Sequence, residues 1–256
     1  LRFGKRLTPT EQAVLLHDVV LRSFIGLDEI GRAASAIRTR SAANFRIASI
    51  PAYAESIIPR VIQRFAKQRA AIHFSIHSHE ESSLRQEMTT QVFDLCLAES
   101  QFERDIGTGE TVNVGDMVCV LPQGHPLTAR KLLSPADFAG QPFIYFSQND
   151  PYRHKLDAVF HQADVARDYA AETTTAASVC ALVAAGVGVS IINPLTAVNH
   201  AVGSVAVRRL SVSVPYGLAL WYPQRSTGLA QIRRFIATMT EVASEMAIEL
   251  DNLLRC

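Results

Sequence analysis

The chain has 256 residues, 48% of them apolar, enough to bury the core of one large domain or two lobes and too many for a disordered or collagen-like polymer. Lysine and arginine number 25 against 24 aspartate and glutamate, so the bulk of the chain is not a polycationic nucleic-acid wrapper and any DNA contact is local. Cys96, Cys119, Cys180 and Cys256 stand far apart, the first three inside apolar runs, which reads as reduced buried thiols; no run reaches the ~18 to 20 apolar residues of a membrane span.

In chain order, residues 1–7, with Gly4 between basic residues, read as the end of a small hairpin. Thr8 or Thr10 can cap a helix over about 11–38, with Pro9 tolerated near its start. Val14, Leu15, Val19, Leu21, Phe24, Ile25, Leu27, Ile30, Ala33, Ala34 and Ile37 recur at spacings of three and four along it. At ~1.5 Å per residue it is ~42 Å long, and a single stripe on so long a helix suits pairing with a second copy; a simple core helix is the alternative. Pro9, Glu11, His17 and Asp18 break up any secretory signal, and the start at Leu1 points to a fragment of a longer protein.

Alternation predicts a strand over 45–50, a helix over 54–67, a strand over 72–76, a helix from Ser82 or Ser83 to about 91, and a strand over 93–98. This is the opening of a mostly parallel α/β sheet. A second lobe follows. Its elements are a strand over 114–121, a turn at 122–126, a short helix capped by Ser134, a strand over 143–146 and a helix over 152–163. A strand at 170–172, a helix from Thr175 through 185, a turn at 186–188 and strands over 189–192, 208–214 and 218–222 complete it, before a last helix over 227–250. Two α/β lobes joined by crossing segments place a ligand cleft between them.

Five stretches carry a resemblance, in order along the chain: KRLTPTEQAVLL (5–16), FRIASIPAYAESIIPRVIQRFAKQ (45–68), GDMVCVLPQGHPL (115–127), IYFSQNDPYR (144–153) and ETTTAASVCALVAAGVGVSIINPLTA (172–197). Together they resemble LysR-type transcriptional regulators, in the branch that holds the lysine-biosynthesis and opine-catabolism regulators. The resemblance implies an α/β fold, a two-lobed domain like the type-2 periplasmic binding proteins, preceded by a long linker helix. It implies a remnant of a winged helix-turn-helix wing at 1–8, a linker helix at 9–40, lobe I at 44–113 plus 225–250, and lobe II at 114–224. It also implies about 90 further residues holding the DNA-reading domain, so promoter DNA would be reached through a part absent from this sequence. Arg2, Lys5 and Arg6 would then touch phosphates, the alternative being a solvated basic terminus. The implied assembly is a homodimer, pairing a helix near 56–67 with one near 176–185 of the other copy, or a homotetramer. The implied location is the cytoplasm, with RNA polymerase as a further partner and no membrane.

Candidate effector contacts lie where strands give way to helices. Ser49 and the backbone around Pro51 precede a helix start that favours a carboxylate, or Ser49 serves only the turn. Glu99 and Ser100 end a strand, Glu99 as acceptor for an ammonium or as a plain loop carboxylate. Ser147, Asp150, Tyr152 and Arg153 form a run denser in polar groups than a turn needs, Arg153 suiting a two-pronged carboxylate pair and Asp150 also a cap. Thr173, Thr174 and Thr175 offer an anion site before a helix, and Asn193-Pro194 follows a strand, the Asn193 amide able to bond either the ligand or the turn itself. Ammonium acceptors beside carboxylate donors suit an amino acid or a derivative, with lysine, diaminopimelate and opine-like conjugates the candidates by resemblance. The reading is an effector-sensing module that uses no cofactor and no metal. His73, His77 and His79 with Glu81 in phase read as a solvated strand face rather than a chelate. A transport-associated solute-binding protein is the alternative, and no G-x-S-x-G, H-E-x-x-H or phosphate-loop motif supports catalysis.

Overall fold

The computed structural model describes residues 2–3, 6–7, 10, 12–13, 16, 20, 43–68, 72–84, 93–99, 108–200, 203–223 and 228–255. Strand β1 (Arg2–Phe3) pairs antiparallel with β2 (Arg6–Leu7), the hairpin the sequence indicates. Thr10 Oγ1 accepts from the Ala13 N–H at 3.2 Å, and residues 12, 13, 16 and 20 are helical; the rest of the expected linker helix lies outside the described residues.

The first sheet has the order β4-β3-β5-β13-β6, built from β3 (Ala43–Ser49), β4 (Ile72–Ser78), β5 (Leu95–Ala98), β6 (Thr108–Asp116) and β13 (Pro215–Tyr222). β3 runs parallel to β4 and β5, while β13 is antiparallel to β5 and β6. Phe45, Phe65, Phe74 and Phe235 meet edge-on and tilted beneath it, fixing the last helix, α6 (Leu229–Leu253), to the sheet.

The second sheet has the order β11-β7-β12-β8, from β7 (Val118–Pro122), β8 (Leu132–Leu133), β11 (Ser190–Ile192) and β12 (Val205–Leu210). The parallel pair β9 (Pro142–Phe146) and β10 (Asp168–Thr173) joins it through a bridge of Phe143 to Val189. Gly188 makes that bridge possible: a Cβ there would strike the Pro142 carbonyl oxygen and stand 2.9 Å from its carbon. Helices α3 (Pro151–Gln162), α4 (Ala176–Ala184) and α5 (Pro194–His200) cover this half.

Four expectations need revision. The single strand expected over 114–121 is two strands in different sheets, because Gly115 takes φ +113° and Met117 crosses, its N–H bonded to the Val214 carbonyl at 3.0 Å. The helix expected over 54–67 begins at Pro51 and is split into α1 (Pro51–Glu55) and α2 (Ile57–Gln68). Pro59 explains the split, since it has no N–H for the Glu55 carbonyl and its ring would press on it. Asn193-Pro194 opens α5 rather than a bare turn, Asn193 Oδ1 accepting from Thr196 N–H at 2.8 Å. The residues of β13, expected with the second lobe up to 224, hydrogen-bond into the first sheet.

The carbonyl that Pro59 frees is taken up from the other half of the molecule: Asn199 Nδ2 on α5 donates to Glu55 O at 3.1 Å and Asn199 Oδ1 accepts from Arg60 at 3.1 Å. Arg209 on β12 pairs with Asp251 at 2.7 Å, and Lys131 Nζ reaches the Arg255 carbonyl at 2.6 Å. The two halves are therefore tied by α5 and by the end of α6.

Candidate functional site

Parallel strands deliver their carboxyl ends to one edge, and in open α/β sheets that edge is where a crevice forms. Here β3, β4 and β5 lead into Ile50, Glu80 and Glu99, and β9, β10 and β11 lead into Ser147, Thr174 and Asn193. These ends face one another across a cavity of about 410 Å³. Among the described residues its charged lining is Glu80, Glu81, Glu99 and Asp150, with no lysine, arginine or histidine.

Asp150 Oδ1 accepts from the N–H groups of Tyr152 and Arg153 at 2.8 and 3.0 Å, so the start of α3 is already filled by a carboxylate. Among the described residues nothing bonds its second oxygen. At α4 the cap is different: Thr175 Oγ1 accepts from Ser178 N–H at 3.1 Å and the Thr175 carbonyl from Val179 N–H, while Ala176 N–H has no partner among the described residues and lines the cavity. One wall therefore presents a carboxylate oxygen and the neighbouring one the first N–H of a helix capped by Thr175.

Glu99 is the most perturbed of these groups. Tyr216 donates to its Oε1 at 2.5 Å, its own N–H donates to Glu81 Oε2 at 3.1 Å, and Oε2 has no partner among the described residues. Burial, with the Asp150 carboxylate next and Glu81 behind, pushes its carboxyl up to about 8, against the Tyr216 hydrogen bond and the Lys155 ammonium. Burial also raises Asp150, outweighing its two backbone hydrogen bonds. A carboxyl raised on folding stabilises most at low pH, and that contribution is lost as pH rises through its folded value. Thermal melts should therefore show stability falling between about pH 5 and pH 9, and Glu99→Gln should flatten the fall. Asp137 and Asp157, both lowered, lose their contribution only on acidification below this window.

Of the residues singled out from sequence, Pro51, Glu99, Ser147, Asp150, Tyr152, Thr175 and Asn193 line the cavity together. Ser49 is fully buried and donates to the Ile50 carbonyl at 3.0 Å, which is the turn role. Arg153 is engaged elsewhere, with Asp157 at 2.7 Å, the Phe146 carbonyl at 2.8 Å and the Tyr145 ring at 4.1 Å, so the two-pronged ligand pair is not formed from it. Thr173 contributes its carbonyl to Ser147 N–H at 3.0 Å, and Pro194 is buried at the start of α5; neither lines the cavity. Ser100 and Lys5 lie outside the described residues, as do the side chains of Arg2 and Arg6. His73 and His77 are exposed, whereas His77 and His79 pack on Phe93 at 5.2 and 6.0 Å.

Tyr216, Glu80 and Met117 line the cavity without having been marked in the sequence. Tyr216 sits between the rings of Tyr152 and Tyr53, 4.7 and 6.0 Å away, in a strand that otherwise reads as plain core. The signal was its hydroxyl, because a fully buried tyrosine finds a polar partner.

Residues 38–244 match the family described as LysR substrate binding domain. The Transcriptional activator protein LysR of Escherichia coli (strain K12) is 37% identical over 254 residues, covering 99% of this chain and 81% of that protein. The Octopine catabolism/uptake operon regulatory protein OccR of Rhizobium meliloti is 26% identical over 84% of this chain and 71% of its own length. In fold the chain is similar to the CcmR regulatory domain of Synechocystis PCC6803, solved in complex with 2-PG, with a TM-score of 0.65 and 16% identity over 78% of this chain and 97% of that one. The chain belongs to the LysR family of transcriptional regulators, and its two-sheet α/β body is their effector-binding domain.

Proposed function

We propose that the cleft senses a small molecule bearing a cationic group and a carboxylate, an amino acid or amino-acid derivative of the lysine, diaminopimelate or opine-like kind. The observation that carries this is the lining: four carboxylates and, among the described residues, no basic side chain, beside the N-terminus of α4 with the hydroxyl of Thr174. The cation takes the free oxygens of Glu99 and Asp150, while the ligand carboxylate takes the Ala176 N–H and the Thr174 hydroxyl. Ser147 and the Asn193 amide supply neutral hydrogen bonds between these poles. The name of OccR supports an opine-like ligand, and the resemblance to the lysine-biosynthesis branch supports one from lysine chemistry.

In this reading one lobe is built on the first sheet with α6 and the other on the second sheet. The ligand couples them to the linker helices of a homodimer or homotetramer in the cytoplasm, with promoter DNA and RNA polymerase as the downstream partners. Arg2, Lys5 and Arg6 serve the phosphate backbone. The test is calorimetric titration of the chain with L-lysine, L-arginine, diaminopimelate and octopine, alongside shikimate as an anion lacking an amine. Saturable binding by the aminated ligands alone, weakened in Ser147→Ala and Asp150→Ala, is the expected result. Binding of shikimate in preference to every amine would overturn the assignment.

A further inference from the structure

Glu99 stands at the meeting point of two halves of the protein, and the following groups face it among the described residues. Glu80 and Glu81 approach from the end of β4, Asp150 and Lys155 from α3, Tyr152 from the same helix, Tyr53 from α1 and Tyr216 from β13. His154 sits near Asp150 rather than Glu99. Lys155 is the one cation in this set, and its Nζ lies 4.1 Å from the Tyr152 ring centroid, held by that aromatic face. Tyr216 donates to Oε1, and neither that bond nor Lys155 offsets two like-charged neighbours in a site screened from water.

We propose that Glu99 carries a proton in the ligand-free protein and surrenders it when a ligand ammonium or guanidinium docks between Glu99 and Asp150, so that the regulator reads effector and pH together. The inference rests on the cationic-ligand reading above and adds a proton to it. The bond broken is the carboxyl O–H at Oε2; its proton passes through the cleft to water and buffer. The carboxylate left behind accepts from a ligand N–H, and Tyr216 keeps its own proton and its bond to Oε1. The cation makes ionisation favourable because it supplies at contact distance the charge that Lys155 supplies only from over Tyr152. The carboxyl, pushed up to about 8, is only about 1% ionised at pH 6 and half ionised at pH 8. Ligand affinity therefore rises about 50-fold across that interval and levels off above it.

The test begins without the effector. In the full 256-residue chain labelled with δ-¹³C glutamate, one carboxyl resonance is expected to titrate near pH 8, to vanish in Glu99→Gln, and to titrate at lower pH in Asp150→Asn. If every glutamate carboxyl titrates below pH 6, the proposal is wrong. Ethylguanidinium then serves as a cation lacking a carboxylate, and saturating amounts should bring the Glu99 titration below pH 7. A titration unmoved at 100 mM ethylguanidinium overturns the exchange of proton for cation. L-Lysine titrated by calorimetry in phosphate and Tris at pH 7 should release close to one proton per molecule bound, and buffer-independent heats would also overturn it. Silence with L-lysine, together with a Glu99 titration that ethylguanidinium moves, counts against the amino-acid reading and for the proton exchange.

Discussion

Asp150→Asn is expected to weaken a cationic effector roughly 30-fold while leaving the thermal midpoint close to that of the unsubstituted chain. The two effects separate because the two oxygens of Asp150 do different work. Oδ1 caps α3 through Tyr152 and Arg153, and asparagine caps as well as aspartate. The other oxygen has no partner among the described residues, on a side chain that lines the cavity, and losing the charge there costs the attraction to a partly desolvated cation, about 2 kcal/mol, or about 30-fold in affinity. Asp150→Ala loses both, and its melt should fall by a further ~1 kcal/mol of stability. Calorimetry with the ligand that saturates the unsubstituted chain, set beside thermal melts of all three proteins, decides the matter. Undiminished affinity in Asp150→Asn would move the cation to another wall of the cleft.

Gly188→Ala carries the largest expected structural effect outside the site. The Cβ would collide with the Pro142 carbonyl, which is backbone and has no rotamer by which to yield. That carbonyl also accepts from Val189 N–H at 2.8 Å, and Ile144 N–H donates to Val189 O at 2.9 Å, the two bonds that join β9 to the second sheet. Overpacking against side chains costs ~1 to 3 kcal/mol, so a backbone clash belongs at or above the top of that range. Since β9 leads into Ser147 and Asp150 and β11 leads into Asn193, the displaced strand also carries one wall of the cleft with it. A lowered melting midpoint together with weakened effector binding is expected. A chain that melts and binds as before would show that β9 and β11 can slide apart freely.

The parts of the site that were legible in the sequence are those marked by punctuation. Ser147 to Pro151, Thr175 and Asn193-Pro194 each join an apolar strand to a cap residue, and such junctions lie at the carboxyl edge of a sheet whatever the rest of the chain does. Tyr216 and Met117 were not legible, because both sit in apolar runs whose periodicity reports burial but not which cavity lies alongside. Glu81 was read in phase with His77 and His79, although the chain turns into a helix at 81 and carries it towards Glu99 instead. The same limit explains β7: the apolar run from Met117 to Leu121 marks buried backbone, and Gly115-Asp116 before it marks a break, while the passage from one sheet to the other at Met117 depends on partners a hundred residues away. Arg153 lies against the Tyr145 ring and the Phe146 carbonyl, since a guanidinium suits an aromatic face and a carbonyl as well as a ligand carboxylate.

The ties between α5, α6 and the opposite half give the domain a stiff spine. α1 and α5 both start at the cleft and run away from it, and their far ends are pinned where Asn199 meets Glu55 and Arg60. That pin is a fulcrum, and the rim carrying Glu99 and Asp150 is the free end of the lever. On the proposed reading an effector gripping both rims works against this spine with a short stroke, and the signal expected from it is a small tilt and a gain in rigidity rather than a wide swing. A regulator geared in this way responds to how firmly its ligand is held more than to how large that ligand is.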